Sequence, residues 1–581
     1  MEKLINLKID NIPVSVPAGS TILDAAKEAG ITIPTLCFLK KINAIGACRI
    51  CLVEAKNVRP LLAACVYPVS EGMEVFTHTA RVNAARKTNL ELILSTHVKN
   101  CLSCLKSTNC DLQKLSLEYA CDENKFKGAM PENLTDASSP SIIRDSRKCI
   151  LCKRCKAACY ETQAVKVIAA NKRGFESYIG CAYGAEIADT ACVGCGQCTL
   201  VCPTGALMEK NDVDRVLAAL NNPELTCIVA PAPSVRVGIA EEFGEPVGTN
   251  AEGRLATALR MLGFHKVFDI DFAADLTIME EANELVERVK NKGVLPMITS
   301  CSPGWVNFLT AYYPQLIPHL STAKSPQAMF GATIKTYWAE KNKIDPSKIF
   351  VVGVMPCTAK KTEILKPQNA NANTPDVDAT ITVRELGRLL KRQGINFSNL
   401  KESKFDDPLG ESTGAAVIFG VTGGVMEAAL RTAADTLTGK SLAAIDYKKI
   451  RGTKGIKTAS VDVAGMKVNV CVASGLANAK KVMDDLAAGK MNDYQFIEIM
   501  ACPGGCVNGG GMPIIDPNVV SFEERAKIRA KSIYKEDERK TLRKSHENPS
   551  IIALYKDYFE KPGSHKAHKI LHCEHHKRNY I

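Results

Sequence analysis

The sequence predicts a multidomain protein in which small cysteine-rich modules precede a larger α/β domain with parallel sheets. The chain has 581 residues, which at about 150 residues per domain indicates roughly four domains. Nineteen of its 24 cysteines stand in tight groups, fifteen of them before residue 210 and four after residue 300. From about residue 224, short apolar runs alternate with helical patterns, as in parallel α/β folds.

Composition and charge exclude several classes of protein. Apolar residues make up 46% of the chain and charged residues 23%, which is ordinary for a globular protein with an ample core. No apolar run reaches about 18 residues, and the first residues do not resemble a secretory signal, so we expect a cytoplasmic protein that does not enter a membrane. The net charge of +12 counts every cysteine as neutral. Metal-bound thiolates would bring it close to zero, so the charge does not indicate nucleic-acid binding.

The first cysteine group lies in a predicted α+β module over residues 1–80. Strands are expected at 4–9 and 13–16, followed by a helix that Thr21 and Asp24 begin as a variant capping box. The ligand candidates have the spacing C-x10-C-x2-C-x13-C and are Cys37, Cys48, Cys51 and Cys65. The module resembles 2Fe–2S ferredoxins, and more closely the domain that begins the large iron–sulfur subunit of respiratory complex I. Zinc is the alternative, since one C-x2-C pair with two distant cysteines also suits it.

A second group follows in a small helical module over residues 81–125. A helical stretch at 80–94 precedes one histidine and three cysteines, which are His97, Cys101, Cys104 and Cys110. One imidazole and three thiolates can bind either zinc or a 4Fe–4S cluster, and the spacing alone does not choose between them. The position between two other iron–sulfur modules favours the cluster.

The third group, in residues 140–209, is an internal repeat. The pattern C-x2-C-x2-C-x3-C occurs twice, 43 residues apart, as Cys149, Cys152, Cys155 and Cys159 and as Cys192, Cys195, Cys198 and Cys202. It is the signature of bacterial two-cluster ferredoxins, in which the fourth cysteine of each run serves the other cluster. We therefore expect Cys202 to complete the first site and Cys159 the second. Clusters in series carry single electrons between a surface partner and a deeper site.

The large domain is predicted over residues 210–515. Its apolar runs predict strands at 226–230, 266–270, 293–299, 348–355, 415–419, 468–472 and 496–500. Ligand sites in parallel α/β folds lie beyond the carboxyl ends of the strands. Three cysteine-bearing segments occupy such positions, which are TSCSPGW (299–305), MPCTAKKTE (355–363) and EIMACPGGCVNGGGMP (498–513). Cysteines at three strand ends can converge on one metal site.

These three segments resemble the signature motifs of iron-only (FeFe) hydrogenases. The preceding cysteine modules match the long monomeric clostridial type, as does the tail segment RKSHENP (543–549). The resemblance covers essentially the whole chain. It implies a catalytic α/β domain with sheets in two lobes, and a wrapping tail over residues 516–581 that resembles the hydrogenase small subunit.

The resemblance also implies the cofactors, which are one 2Fe–2S cluster, three accessory 4Fe–4S clusters and the H-cluster. The H-cluster joins a 4Fe–4S cubane to a diiron unit with carbonyl, cyanide and a bridging dithiolate. Cys357, Cys502 and Cys506 would hold the cubane, and Cys506 would bridge to the diiron unit. Lys360 would bind a cyanide through a charge-assisted hydrogen bond. The residues implied to line the pocket are Met355, Met500, Pro326 and Gln327.

A proton relay is implied as well. By similarity its members are Cys301, Glu281, Ser321, Glu284 and Arg288. Glu281 and Glu284 are three residues apart on a helix predicted at 279–289, so they share one face. Without the resemblance, a solvated helix face would be the simpler interpretation of the two carboxylates.

The first motif departs from the family pattern of two adjacent cysteines, the first a proton relay and the second a cubane ligand. Here the second position is Ser302. Either Ser302 ligates through oxygen and Cys301 carries protons, or Cys301 ligates and Ser302 or a water carries protons. The motif register favours Ser302, but ligand softness favours Cys301, and we expect Cys301 to be the ligand. Met512 is a second departure, since many members have glutamine there.

The function that the resemblance implies is a reversible hydrogenase that produces H2 from protons and reduced ferredoxin. The expected partners are ferredoxin or flavodoxin, H2 and protons, and maturation enzymes for the diiron unit. A slow hydrogen- or redox-sensing homologue is one alternative. A pure electron-transfer protein is another, although it leaves Cys357, Cys502 and Cys506 without a role.

Two further features are discounted. The segment 420–424 is rich in glycine, but it lacks the spacing of a phosphate-binding loop and no Lys-Ser/Thr follows. Five histidines lie between residues 565 and 576. We interpret them as part of a solvated basic tail rather than as a metal site.

Overall fold

A computed structural model describes residues 3–371, 373–439, 446–463 and 466–578. The first module is a five-stranded sheet in the order β2-β1-β5-β3-β4 with a single helix before its cysteines. The strands are β1 (Leu4–Ile9), β2 (Ile12–Pro17), β3 (Leu52–Ala55), β4 (Leu62–Ala63) and β5 (Glu74–Phe76). Helix α1 (Ile22–Glu28) begins with the predicted capping box, in which Thr21 and Asp24 bond each other's backbone N–H. The prediction for this segment is confirmed.

The next two modules are small and depend on few regular elements. Helices α2 (Ala80–Ser95) and α3 (Asp111–Glu118) flank the His97 group. The module with the two cysteine runs, residues 140–209, is called the two-run module. It contains β6 (Ile142–Arg144), β7 (Ala169–Asn171), β8 (Tyr178–Gly180), β9 (Leu207–Glu209), α4 (Arg154–Ala157) and α5 (Gln197–Val201). Antiparallel pairing of β6 with β9 brings the two cysteine runs against each other. Apolar residues of this module share one core with Trp305 and Ile499 of the large domain, so the two are packed together.

The described residues of the large domain contain ten strands, two of which, β14 and β15, form a separate hairpin. They are β10 (Thr226–Pro231), β11 (Lys266–Val267), β12 (Met297–Ile298), β13 (Ile349–Met355), β14 (Ala370–Asn371), β15 (Thr374–Pro375), β16 (Ala379–Thr382), β17 (Ile456–Val463), β18 (Met466–Ser474) and β19 (Phe496–Met500). One four-stranded sheet has the order β11-β10-β13-β16 and the other β12-β19-β18-β17. The first sheet is entirely parallel. In the second, β12, β19 and β18 are parallel as predicted, and β17 is an added antiparallel strand beside β18.

Helices surround these sheets. They are α6 (Val213–Leu220), α7 (Pro233–Arg236), α8 (Glu252–Met261), α9 (Ile270–Lys290), α10 (Pro303–Tyr312), α11 (Pro326–Thr333), α12 (Ala339–Asn342), α13 (Lys360–Glu363), α14 (Val383–Arg392), α15 (Gly414–Val417), α16 (Gly424–Thr438) and α17 (Leu476–Ala487). The strand predicted at 415–419 is wrong, because this fully buried segment forms α15 and a 3-10 turn. A short run that is apolar on every side does not distinguish a strand from a buried helix.

The two sheets direct the carboxyl ends of four strands toward one cavity. Strand β10 leads into Ala232 and β13 into Cys357, whereas β12 leads into Cys301 and β19 into Cys502. This is the edge at which parallel α/β sheets bind ligands.

The tail wraps the large domain through α18 (Phe522–Arg539), α19 (Pro549–Leu554) and α20 (His565–Leu571). Asn548 donates to Asp275 at 3.0 Å, and His572 lies 3.0 Å from the Glu280 carboxylate. His572 is buried, so the interpretation of the histidines as a solvated tail is wrong for this residue. Within the described ranges, no helix combines the length and the apolar character that crossing a membrane requires.

Candidate active site and metal centres

A pocket with about 730 Å³ of space free of protein atoms, open solvent included, lies at the junction of the two sheets. Its lining includes the sequence-predicted residues Cys301, Ser302, Pro326, Gln327, Met355, Cys357, Lys360, Met500, Cys502 and Cys506. The structure therefore brings together ten predicted site residues that are spread over more than 200 positions of the sequence. The four predicted relay residues Glu281, Glu284, Ser321 and Arg288 are absent from this lining.

The sulfur atoms of the cavity lie in an apolar setting. Cys502 lies beside Cys357 and Cys506, and Phe419 adds apolar surface to that of the methionines. Burial raises the pKa of the Cys506 thiol to about 12. Buried thiols ionise readily only when a cation binds the thiolate, and iron supplies that charge in iron–sulfur clusters. The donor set and the space thus fit a cubane with an attached group.

Lys360 is held at the cavity wall by a partner that the sequence analysis missed. Its Nζ donates to the Glu363 carboxylate at 2.9 Å and to the Cys301 carbonyl oxygen at 3.3 Å. Ser325 Oγ also donates to Glu363, at 2.9 Å. The i, i+3 spacing of Lys360 and Glu363 within the second motif was the available signal.

The first motif forms a closed turn between β12 and α10. The Trp305 indole donates to the Thr299 carbonyl oxygen at 3.1 Å, and Ser302 precedes the helix that Pro303 begins. Ser302 Oγ accepts the Ala501 N–H at 3.3 Å, next to Cys502. Cys301 instead lies in the electrostatic field of Glu281, Cys506 and Lys360. The two side chains therefore have different neighbours.

The relay candidates extend from Glu281 toward the surface. Neither Glu281 carboxylate oxygen has a hydrogen-bond partner among the described residues, although Ser321 and the Ser300 backbone are close. Burial, with the neighbouring charges of Glu284 and Glu498, raises the pKa of Glu281 to about 8.

Glu284 continues this series of polar groups. Its carboxylate accepts from Ser321 Oγ at 2.8 Å and from Arg288 Nη2 at 2.6 Å. Glu284 and Arg288 are partly exposed, so their side chains reach solvent.

Glu498 is a buried acid that the sequence analysis did not assign. It lies on β19 and accepts the backbone N–H of Gly423 at 2.6 Å and of Met426 at 2.8 Å. These donors belong to the beginning of α16, where the helix dipole favours negative charge. The glycine-rich segment 420–424 therefore receives a carboxylate of this chain.

The four cysteines of the first module converge. The Cys37 sulfur lies within hydrogen-bonding range of Cys48 and Cys65, and the Cys51 sulfur within range of Cys65. Asn43 Nδ2 donates to the Cys37 carbonyl oxygen at 2.7 Å and to that of Cys152 at 3.0 Å. This side chain ties the first cysteine loop to the two-run module.

His97 fits a metal ligand. Its Nδ1 is buried and has no hydrogen-bond partner among the described residues. Burial lowers the pKa of the imidazole to about 4, so the ring is neutral, as a ligand must be. Cys101, Cys104 and Cys110 are each partly exposed.

The two cysteine runs divide into the predicted sets. Cys149, Cys152, Cys155 and Cys202 line one cavity of about 400 Å³. Besides burial, the charges of Cys195, Cys192 and Cys159 raise the pKa of the Cys198 thiol, in that order among its cysteine neighbours. The fourth cysteine of each run thus lies with the other run.

The second of these sets adjoins the active-site cavity. The charge of Cys195 is one of those that raise the pKa of the Cys502 thiol. A Cβ on Gly510 would lie 2.2 Å from the Cys195 carbonyl oxygen. Only glycine permits this approach of the third motif to the two-run module.

Family models match successive parts of the chain. The C-terminal domain of the iron-only hydrogenase large subunit matches residues 225–510, and the iron hydrogenase small subunit matches residues 523–578. A 2Fe–2S cluster-binding domain matches residues 2–80, the NADH-ubiquinone oxidoreductase-G iron–sulfur region residues 86–125, and a 4Fe–4S dicluster domain residues 148–206.

Relatives match over the whole length. The NADP-reducing hydrogenase subunit HndD of Solidesulfovibrio fructosivorans is 46% identical over 100% of both chains. Iron hydrogenase 1 of Clostridium pasteurianum is 44% identical over 98% of this chain and 99% of its own. A solved FeFe-hydrogenase HydA1 from Chlamydomonas reinhardtii is 40% identical, with a TM-score of 0.57 over 63% of this chain and 99% of its own. On this evidence, and in agreement with the converging cysteines, the chain belongs to the iron-only (FeFe) hydrogenase family and carries accessory iron–sulfur modules.

Proposed function

We propose that this hydrogenase reversibly converts two protons and two reduced ferredoxins into H2 and two oxidised ferredoxins. The observation that supports this most directly is the single cavity in which the cysteines of all three motifs meet Lys360. When bound, the H-cluster supplies the redox chemistry of H2. One 2Fe–2S cluster and three accessory 4Fe–4S clusters would carry the electrons, and maturation enzymes would supply the diiron unit.

The cavity residues have separate tasks in this proposal. Cys357, Cys502 and Cys506 would hold the cubane, and Cys506 would also hold the diiron unit. Lys360 would donate a hydrogen bond to a cyanide, and Glu363 orients its ammonium group. Met355, Met500, Pro326 and Gln327 line the pocket, and the two methionines and the proline give it apolar walls.

Protons would move along the buried acids of α9. With its pKa raised to about 8 by burial, Glu281 holds a proton at neutral pH and can pass it on. Ser321 and Glu284 continue the route, and Arg288 fixes Glu284 at the surface end.

The contacts of the first motif favour the family register over ligand softness. Cys301 lies beside Glu281, as a proton carrier must, whereas Ser302 lies beside the Cys502 segment. We therefore propose Cys301 as the inner end of the relay and Ser302 at the cubane, through its oxygen or beside a site with three thiolates.

A nucleotide-linked hydrogenase is the second candidate. It is favoured by the NADP-reducing subunit, a relative that matches this chain over its full length. In that case a further subunit would pass electrons from the accessory clusters to NADP+. A slow hydrogen sensor remains a third possibility for the same site.

Infrared spectroscopy and an electron-donor assay test the proposal. The matured protein should show carbonyl and cyanide bands, and these should disappear in Cys506→Ala but persist in Cys471→Ala, which removes a buried thiol outside the motifs. Reduced ferredoxin alone should support H2 evolution. Reduction of NADP+ by H2 with a partner subunit, and no H2 evolution from reduced ferredoxin, would favour the second candidate, and bands without turnover would favour the sensor.

A further inference from the structure

The second and third cysteine groups meet in a buried junction. Cys110 Sγ lies 3.7 Å from the carbonyl oxygen of Pro203, the residue after Cys202, and the Asp111 N–H donates to the same oxygen at 3.0 Å. A Cβ on Gly205 would lie 2.7 Å from Cys104 Sγ. The two ligand sets are therefore in van der Waals contact through these residues.

Two buried cations lie at this junction. Arg154 is 1% exposed and Lys106 is 3% exposed. Arg154 Nη1 lies 3.4 Å from the Asp111 carboxylate, but its Nε and Nη2 have no hydrogen-bond partner within the described ranges. Lys106 has neither a hydrogen bond nor an ion pair through its side chain there. Within the described part of the chain, Asp111 is thus the sole carboxylate paired with Arg154, and Lys106 is paired with none.

Each cation faces a different part of the junction. Lys106 lies in the electrostatic field of Asp111, Cys202 and Cys110, and the Arg154 charge acts on Cys152. The nearby Arg384 is paired with Glu209 at 3.0 Å, so it adds no uncompensated positive charge.

Such an arrangement is unfavourable unless an anion occupies the space between. Burying an uncompensated cation costs several kcal/mol, and the orphan N–H groups of Arg154 add to that cost. Iron–sulfur clusters with their thiolates are anions whose sulfur atoms accept hydrogen bonds. The junction therefore fits two clusters that share the pair of cations.

We propose that Arg154 and Lys106 raise the reduction potentials of the two 4Fe–4S clusters that meet at this junction. Reduction adds one electron, and hence one negative charge, to a cluster without breaking a bond. A neighbouring cation stabilises the more negative form, and N–H donors to cluster sulfur act in the same direction. The inference rests on the cluster content proposed above.

The consequence for electron flow is a holding site in the middle of the protein. An electron that arrives at either cluster is stabilised by the same two charges. The junction therefore retains one electron while a second arrives, which suits a reaction that consumes two.

Potentiometric titration of the accessory-cluster EPR signals in the matured protein tests the proposal. Arg154→Gln and Lys106→Gln should each shift the junction signals to more negative potentials, and the double variant should shift them furthest. Lys153→Gln is the matched control, because it removes the same charge from the adjacent, exposed position of the same loop. Water screens that charge, so its shift should be smaller.

An Arg154→Gln shift no larger than that of Lys153→Gln, at full iron content, would overturn the proposal. If the glutamine variants lose iron, Arg154→Lys and Lys106→Arg keep the charge and decide the matter. Wild-type potentials in these two variants support an electrostatic cause, and a fall to more negative values contradicts it. Neither result depends on H2 turnover, so failure of the proposed activity would be recognised separately.

Discussion

At the scale of single residues, the direction of adjacent side chains decides what the variant first motif can do. Cys301 and Ser302 follow the same strand, yet one lies beside Glu281 and the other accepts a hydrogen bond from Ala501. Iron in a cubane prefers the softer thiolate to a serine oxygen, but this preference matters only where the sulfur can reach the iron. The backbone would have to shift for Cys301 to replace Ser302.

Alanine substitutions separate the two arrangements. In Cys301→Ala we expect a full complement of iron, an intact cubane EPR signal and turnover lower by about 100-fold or more, since a proton-transfer group is lost. Ser302→Ala should change the cubane signal, and Ser302→Cys should restore the usual pair and raise activity. Loss of the cubane in Cys301→Ala would instead assign Cys301 as the ligand.

Glu281 gives a pH-dependent prediction. Because burial raises the pKa of Glu281 from 4.5 to about 8, the folded protein binds this proton more tightly than the unfolded chain. Stability from this group is therefore present below pH 4.5 and is lost as pH rises through about 8. Relative to wild type, Glu281→Gln should gain thermal stability between pH 5 and pH 9 while turnover falls.

The exposed Glu287 on the same helix provides the control. Thermal unfolding of Glu287→Gln should follow the wild type across this pH range. If the difference in unfolding temperature between Glu281→Gln and wild type stays the same from pH 5 to pH 9, the carboxyl group is already ionised in the folded state.

At the scale of elements, the turn after β19 joins the active site to the electron path. Gly510→Ala would place a methyl group 2.2 Å from the Cys195 carbonyl oxygen. We expect a loss of about 1–3 kcal/mol in stability, as for other overpacked positions, and slower reduction of the active site. Gly128→Ala is the control because a Cβ there meets nothing within 4 Å. Equal unfolding temperatures and electron-transfer rates in the two variants would contradict the close approach.

The sequence predicted the elements that carry strong local signals. The capping box of α1 and strands β1, β13 and β19 lie where expected. Strand β16 was missed because four residues give no periodicity, and α9 extends further toward its start than predicted because Asp269 caps it there. Cysteine spacing predicted the ligand sets. The contact of Glu363 with Lys360 has a local signal in its i, i+3 spacing, whereas the role of Glu498 depends on contacts with a distant segment that no local pattern records.

At the scale of the whole molecule, metal content tests the series of clusters. The matured protein should contain about 20 iron atoms per chain, and protein made without the maturation enzymes about 18, since only the diiron unit would be missing. Elemental analysis with EPR measures both. About 16 iron atoms with one zinc in the matured protein would place zinc at the His97 site and interrupt the electron path there.

The attachment of the tail has a consequence for the order of events during protein synthesis. Cys573 N–H donates to Thr322 at 2.8 Å and Arg578 N–H to Thr310 at 3.1 Å, so residues translated some 250 positions later complete the wall beside Ser321. At about 5–20 residues per second, that delay is on the order of 10–50 s on the ribosome. The cysteine-rich modules are complete before this interval begins, whereas the segment around Ser321 still lacks its cover. The proton route through Ser321 and Glu284 is therefore enclosed by the tail only after the rest of the catalytic domain has been translated.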